Sequence, residues 1–183
     1  VESTVNIAAD LAGRHGAEWG EWTYTTYLHE VGHALGLGHS GAYGNFNEAR
    51  GGGRLFDADT ELMSVMSYFR HDGHTHMFGS RAWPVTPQMA DILAIRALYG
   101  PAEEARPGDT VYGHGSDLTG PLSALAGGRK PVIATLVDTG GHDLIDYSHV
   151  LHDQRIDLRP GATSDLGGLT AGLAIGPETW IED

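Results

Sequence analysis

Three histidines, one glutamate and three glycines fall within HEVGHALGLGH, residues 29–39. On a helix each residue turns the chain by about 100°. His29 and His33 stand four apart, so they share a face and can reach one ion. Imidazole nitrogens suit zinc at about 2.0–2.1 Å. Glu30 is the next residue round, beside such an ion rather than behind it, within reach of a water on the metal. Zinc brings the pKa of that water to about 7, and a carboxylate can take its proton as it attacks a carbonyl. His39 lies six residues past His33, out of reach if the helix continued. Gly36 permits a strained or left-handed backbone, so the chain can turn back and bring His39 to the same ion. Three histidines leave a fourth position open, which marks a catalytic rather than a structural site.

The elements that must hold these residues are partly legible. Residues 24–36 read as a helix, with Tyr27, Leu28, Val31, Ala34 and Leu35 at spacings of three and four, ended by Gly36 and Gly38. Residues 40–59, rich in glycine, asparagine and alanine, read as a long loop. A second helix is expected after Thr86 as N-cap and Pro87 at its first position, with Met89, Ile92, Leu93, Arg96 and Tyr99 at helical spacing and Gly100-Pro101 as the stop. Residues 102–109 read as a linker, which places a boundary near residue 101: a first unit at 1–101 and a second at 102–183. Beyond it the pattern is of strands, in ATLVD, DLIDY and QRIDLRP, and residues 155–159 alternate as a half-buried strand should. The fold class is therefore α+β.

Composition narrows the function. The chain has 183 residues, 40% of them apolar, enough for a packed core. Its formal charge of −13 argues against nucleic acid as a partner. Carboxylates suit hard cations such as calcium, although acidity also serves solubility alone. The absence of cysteine excludes disulfides and thiol catalysis. No run is long and apolar enough to span a membrane, and VESTVNIAAD shows no leader segment, as a processed chain or a fragment would not. Neither G-x-S-x-G nor a P-loop occurs, so serine-hydrolase and nucleotide chemistry have no support. His71, His74 and His76 crowd HDGHTH; a solvated loop near the cleft is the expectation, a secondary metal site the alternative.

His29, Glu30, His33, Gly36 and His39 resemble the metzincin zinc-peptidase signature, and Ser64-Val65-Met66-Ser67-Tyr68 resembles its Met-turn in the serralysin branch. DILAIRALYG, RPGDTVYG at 106–113 and the stretch DTGGHDLIDYSHVLHDQRIDLRPGATSDLGGL are similar to further serralysin segments, so the likeness runs from about residue 25 to the end. The resemblance implies a secreted zinc endopeptidase acting on protein or peptide substrates. It makes His29, His33 and His39 the zinc ligands, Glu30 the general base and Met66 the floor of the site. Tyr68 would be an extra ligand in the resting enzyme and an oxyanion donor in turnover.

It also implies two calcium ions that staple a cysteine-free chain. One would be held by the carbonyls of Arg106, Gly108 and Thr110 with Asp138, Gly140 and Asp143, the other by Gly141, Asp143, the carbonyl of Trp180 and Glu182. Read without the resemblance, Asp138 and Asp143 would only cap turns. Phe69 stands where the family has tryptophan. The family's large N-terminal subdomain has little room in the 28 residues before His29, and its tandem glycine-aspartate repeats are absent. The expectation is a metzincin zinc-helix and Met-turn unit followed by the start of a calcium-binding β-roll. The rest of the enzyme would be cleaved, disordered or carried on a separate chain as a partner. The rival readings are a degenerate protease kept as a calcium-stapled binding module, which intact Glu30 and Tyr68 oppose, and a metzincin of another branch.

Overall fold

The chain was described with a computed structural model covering residues 4–71, 81–127 and 130–183. After a short helix α1 (Leu11–His15), the first long element is α2 (Trp22–Ala34), which begins and ends two residues before the expected span. Its buried residues are Thr23, Thr25, His29 and Gly32, whereas Tyr27, Val31 and Leu35 are exposed. The apolar stripe that located the helix therefore faces outward. The polar side faces inward because Thr25 Oγ1 donates to Pro84 O (3.0 Å) and Tyr24 OH to Val85 O (3.2 Å), docking α2 on strand β1 (Trp83–Pro84).

The segment expected as a loop at 40–59 contains α3 (Phe46–Glu48), followed by a π-type turn at Ala49–Gly53. Asn45 causes it: its side chain accepts from Asn47 N (3.0 Å) and Glu48 N (3.1 Å). Helix α4 (Met89–Tyr99) starts later than expected, with Gln88 at the N-cap. Thr86 is engaged elsewhere, accepting on Oγ1 from Thr135 N (2.8 Å). Here too the polar side is inside, with Asp91 buried and Leu93 and Tyr99 exposed.

The strands are β2 (Val111–Gly113), β3 (Val132–Leu136), β4 (Leu144–Asp146), β5 (Thr163–Leu166) and β6 (Leu169–Ile175). One sheet runs β1-β3-β6-β5, parallel at its first two pairings and antiparallel at β5–β6. β2 and β4 form a separate parallel pair. β3 is buried at every position, as a continuous apolar run in a central parallel strand should be. β5 and β6 join through Gly167-Gly168 at φ 62° and 80°, the two left-handed positions that a tight hairpin demands. The expected strand at residues 155–159 is absent; only an isolated bridge, Arg155 with Asp165, remains, and Ile156 is exposed. There Asp157 N donates to the side-chain hydroxyl of Ser164 (2.9 Å) rather than to a backbone carbonyl, so the ladder does not continue.

The core gathers Val85, Tyr112, Leu136, Leu173 and Ile175 with Ile145 and Ile181. Because β1 pairs with β3, chain from both sides of residue 101 shares one sheet. Among the described residues, no helix is long and apolar enough to cross a membrane. The mixed helix and strand content agrees with the α+β expectation.

Candidate metal centre

α2 ends in a pair of return hydrogen bonds. Gly36 N donates to His33 O (3.0 Å) and Leu37 N to Gly32 O (3.0 Å), with Gly36 at φ 95°. This is the Schellman arrangement, with glycine where a side chain would be strained. The chain reverses there and returns His39 to the helix face. His39 Nε2 lies 3.2 Å from Nε2 of His33 and 3.2 Å from Nε2 of His29. Three nitrogens on one tetrahedral ion at about 2.0–2.1 Å stand about 3.3 Å apart, so the donor set has the dimensions of a zinc site.

The other ring nitrogens are anchored to the backbone. His29 Nδ1 meets Val65 O at 2.8 Å, His33 Nδ1 meets Leu37 O at 2.9 Å, and His39 Nδ1 meets Tyr43 O at 2.7 Å. A carbonyl only accepts, so each Nδ1 carries the hydrogen and each Nε2 turns a lone pair to the centre. Burial holds His29 below the ordinary imidazole pKa; the Val65 carbonyl opposes this, and the two neighbouring imidazoles add to it. Neutral rings are the form in which imidazole binds a metal.

Met66, 1% exposed, lies beneath α2. A Cβ at Gly32 would come within 2.5 Å of its sulfur, so the glycine lets the helix sit directly on the thioether. Tyr68 stacks on His29 (5.5 Å, 14°) and on Phe46 (4.5 Å, 18°) and lies 4.6 Å from His39. Burial, with a smaller contribution from the charge of Glu30, raises its pKa. Glu30, Tyr68 and His29 line a cavity of about 200 Å³ walled by Trp22, Phe46 and Trp83. Tyr43, whose carbonyl holds His39, is fixed by its hydroxyl on buried Asp59 (2.9 and 3.0 Å).

Other expectations are corrected or fall outside the view. His71 is not solvated: it is buried, its Nδ1 3.6 Å from Glu61 Oε2. His74 and His76 lie outside the described residues. Among the described residues, His29, His33 and His39 are the one set of three or more histidine or acidic side chains whose ligand atoms all lie within 4.8 Å.

The residues expected at calcium are linked in a different manner. Thr110 N donates to Asp143 Oδ1 (2.9 Å) and Thr110 Oγ1 to Gly108 O (3.0 Å). Asp143 N donates to Glu182 Oε2 (2.9 Å), and Gly140 N to Asp138 Oδ1 (3.1 Å). Tyr112 OH donates to Asp138 Oδ2 (2.5 Å) and accepts from Arg106 Nε (3.0 Å). Gly141, at φ 128°, packs on the Gly108 backbone, where a Cβ would meet atoms at 2.5 Å. Trp180 is 70% exposed. Asp143 is buried, and its Oδ2 has no hydrogen-bond partner. Burial raises its pKa against the lowering bond from Thr110, and the charges of Asp138 and Glu182 raise it further. A buried acceptor beside carbonyls and like charges fits a hard, oxygen-seeking cation.

Gly32, Asp59 and Asp91 escaped the reading of the sequence. Gly32 lies inside the histidine motif itself, but its need appears only with Met66 packed against it. The two aspartates carry no local signal of proximity to the histidines.

Residues 102–183 match the family described as Peptidase M10 serralysin C terminal. Serralysin C of Dickeya chrysanthemi is 36% identical over 167 residues, which cover 89% of this chain and 34% of that protein. Serralysin B of the same organism is 34% identical over 180 residues, 97% of this chain and 35% of that protein. Metalloprotease AprA of Pseudomonas entomophila is 34% identical over 171 residues, 90% of this chain and 35% of that protein. The chain is thus similar to serralysins over most of its length, and its second part matches the serralysin C-terminal family. It spans about a third of the length of these relatives. An alignment over 97% of the chain takes in the histidine segment, so the similarity is not confined to residues 102–183.

Proposed function

We propose that this chain carries the zinc centre of a secreted metzincin endopeptidase of the serralysin type, joined to a calcium-binding β domain, and that its substrates are proteins and peptides. The observation that carries the reading is the convergence of three Nε2 atoms, two of the separations being 3.2 Å, each ring oriented by a backbone carbonyl on its Nδ1. Bound there, zinc would supply Lewis acidity, enough to bring the pKa of water to about 7. Glu30, on the same cavity wall, takes the proton of the attacking water and later passes it to the leaving amine. Tyr68, kept protonated by its raised pKa, donates a hydrogen bond to the developing oxyanion. Trp22, Phe46 and Trp83 exclude bulk water from the cavity, and Met66 supports the ligand helix from below. In the second part, Asp138, Asp143 and Glu182, with the carbonyls of Arg106, Gly108 and Thr110, would hold calcium, joined by Gly140, Gly141 and the carbonyl of Trp180.

Cleavage of a fluorogenic casein, with zinc content measured in parallel, tests this. Glu30→Gln should retain zinc and lose about 10²–10⁴ in rate, the usual worth of general base catalysis. A chain that holds no zinc would overturn the metal assignment. A chain that holds zinc and cleaves nothing would leave a binding module, or a cleft that needs further polypeptide.

A further inference from the structure

We infer that Asp91 is a positioning residue for the three-histidine site, acting through the two peptide groups that flank Val65. Asp91 sits in the first turn of α4, on the far side of the 64–66 turn from the histidines, and is 3% exposed. Its Oδ2 accepts from Val65 N (2.8 Å) and from Gln88 N (2.8 Å). Its Oδ1 accepts from Ser64 Oγ (2.6 Å), which in turn accepts from Met66 N (3.0 Å). The peptide between Val65 and Met66 is thus held by its N–H through Ser64, and its carbonyl is the one that orients His29. Rotating that peptide would take the carbonyl off Nδ1 and free the imidazole to turn. Capping α4 alone would not require burial, since a carboxylate at the third helical position serves equally well in water. A buried carboxylate is costly unless its acceptor sites are filled, and here two of the three donors belong to the turn rather than to α4. Partners hydrogen-bonded directly to a metal ligand are typically worth about 10–100-fold in affinity, and Asp91, one peptide further out, should fall at the low end.

This inference rests on the zinc reading for its affinity arm, and a metal-free arm separates the two. Zinc affinity would be measured by chelator competition for the 183-residue chain, Asp91→Asn and Ser64→Ala. In the metal-free proteins, exchange of the Nδ1 protons of His29 and His33 would be followed with histidine-specific ¹⁵N labelling. Asp91→Asn should weaken zinc binding about 10-fold, the low end of the range for partners bonded directly to a ligand. It should also speed exchange at His29 while leaving His33, anchored on its own helix end, unchanged. Ser64→Ala, which cuts only the Oδ1 branch, should do the same to a smaller degree, and it decides the matter if Asp91→Asn fails to fold. Unchanged zinc affinity, or equal responses of His29 and His33, would overturn the inference, the latter by showing a purely structural role. If the unaltered chain binds no zinc, the metal reading falls, while the exchange arm still judges Asp91.

Discussion

The three-histidine site and the acidic cluster around Asp143 are assembled on opposite principles. The histidine donors are each locked by a backbone carbonyl and converge to zinc dimensions. The acidic donors are charged alike. Two unit charges about 4 Å apart repel by about 4 kcal/mol at an effective dielectric of about 20. Asp138, Asp143 and Glu182 accordingly spread their oxygens onto backbone N–H groups and Tyr112, and one oxygen of Asp143 is left without a donor. The lesson is that imidazole rings can be aimed by hydrogen bonds to backbone carbonyls, while like-charged carboxylates need a counter-charge to come together. Zinc should therefore change the fold around it little, and calcium should change stability much.

The sharpest way to break this contrast is a calcium titration of thermal unfolding. Calcium at about 100 times its dissociation constant should add about 2.7 kcal/mol. In Asp143→Asn that gain should vanish, with the metal-free stability equal or higher because a buried like charge has been removed. A calcium response that survives the substitution would sink the acidic-cluster assignment.

Next in size is Gly32→Ala. The added methyl would press on Met66 Sδ from 2.5 Å. Overpacking of this kind costs about 1–3 kcal/mol, read as a lowered urea midpoint, with weaker zinc retention as the ligand helix is pushed off its floor. An unchanged midpoint would mean that the turn yields freely, against the picture of a preassembled site.

The smallest effect lies far from both sites, at Asp157 and Arg159. The hydrogen bonds from Arg159 hold the Asp157 pKa down to about 2, against an ordinary 3.8. A depressed carboxylate contributes stability above its unfolded value and loses it as the pH falls towards the folded one. The stability difference between the unaltered chain and Arg159→Ala should thus be small and constant above about pH 5, and gone by about pH 1. A difference that grows on acidification would reverse the sign of that argument.

Much of the histidine site was legible because its logic is local. A spacing of four, a glutamate next to the first histidine and a glycine at the helix end are statements about one turn of helix and its termination. Helical periodicity found both α2 and α4, but several of the apolar residues that carried it are exposed. Tyr27, Val31 and Leu93 point outward, while Thr25, His29, Gly32 and Asp91 point inward. In a site built on polar contacts, the buried face need not be the apolar one. The Gly167-Gly168 hairpin was present in the letters and passed over, whereas the alternation at residues 155–159 was taken for a strand, whose ladder ends where Asp157 N turns to the Ser164 hydroxyl.

By itself, then, the sequence determined the three histidines, their order and the reversal at Gly36, since these follow from backbone geometry within eleven residues. Tertiary structure decided what orients them. Val65 and Tyr43 offer their carbonyls, Met66 closes against Gly32, and Asp59 and Asp91 hold the turns behind. Most of those contacts join residues far apart in the chain. A hydrogen bond between distant segments leaves no period in the sequence from which it could be read.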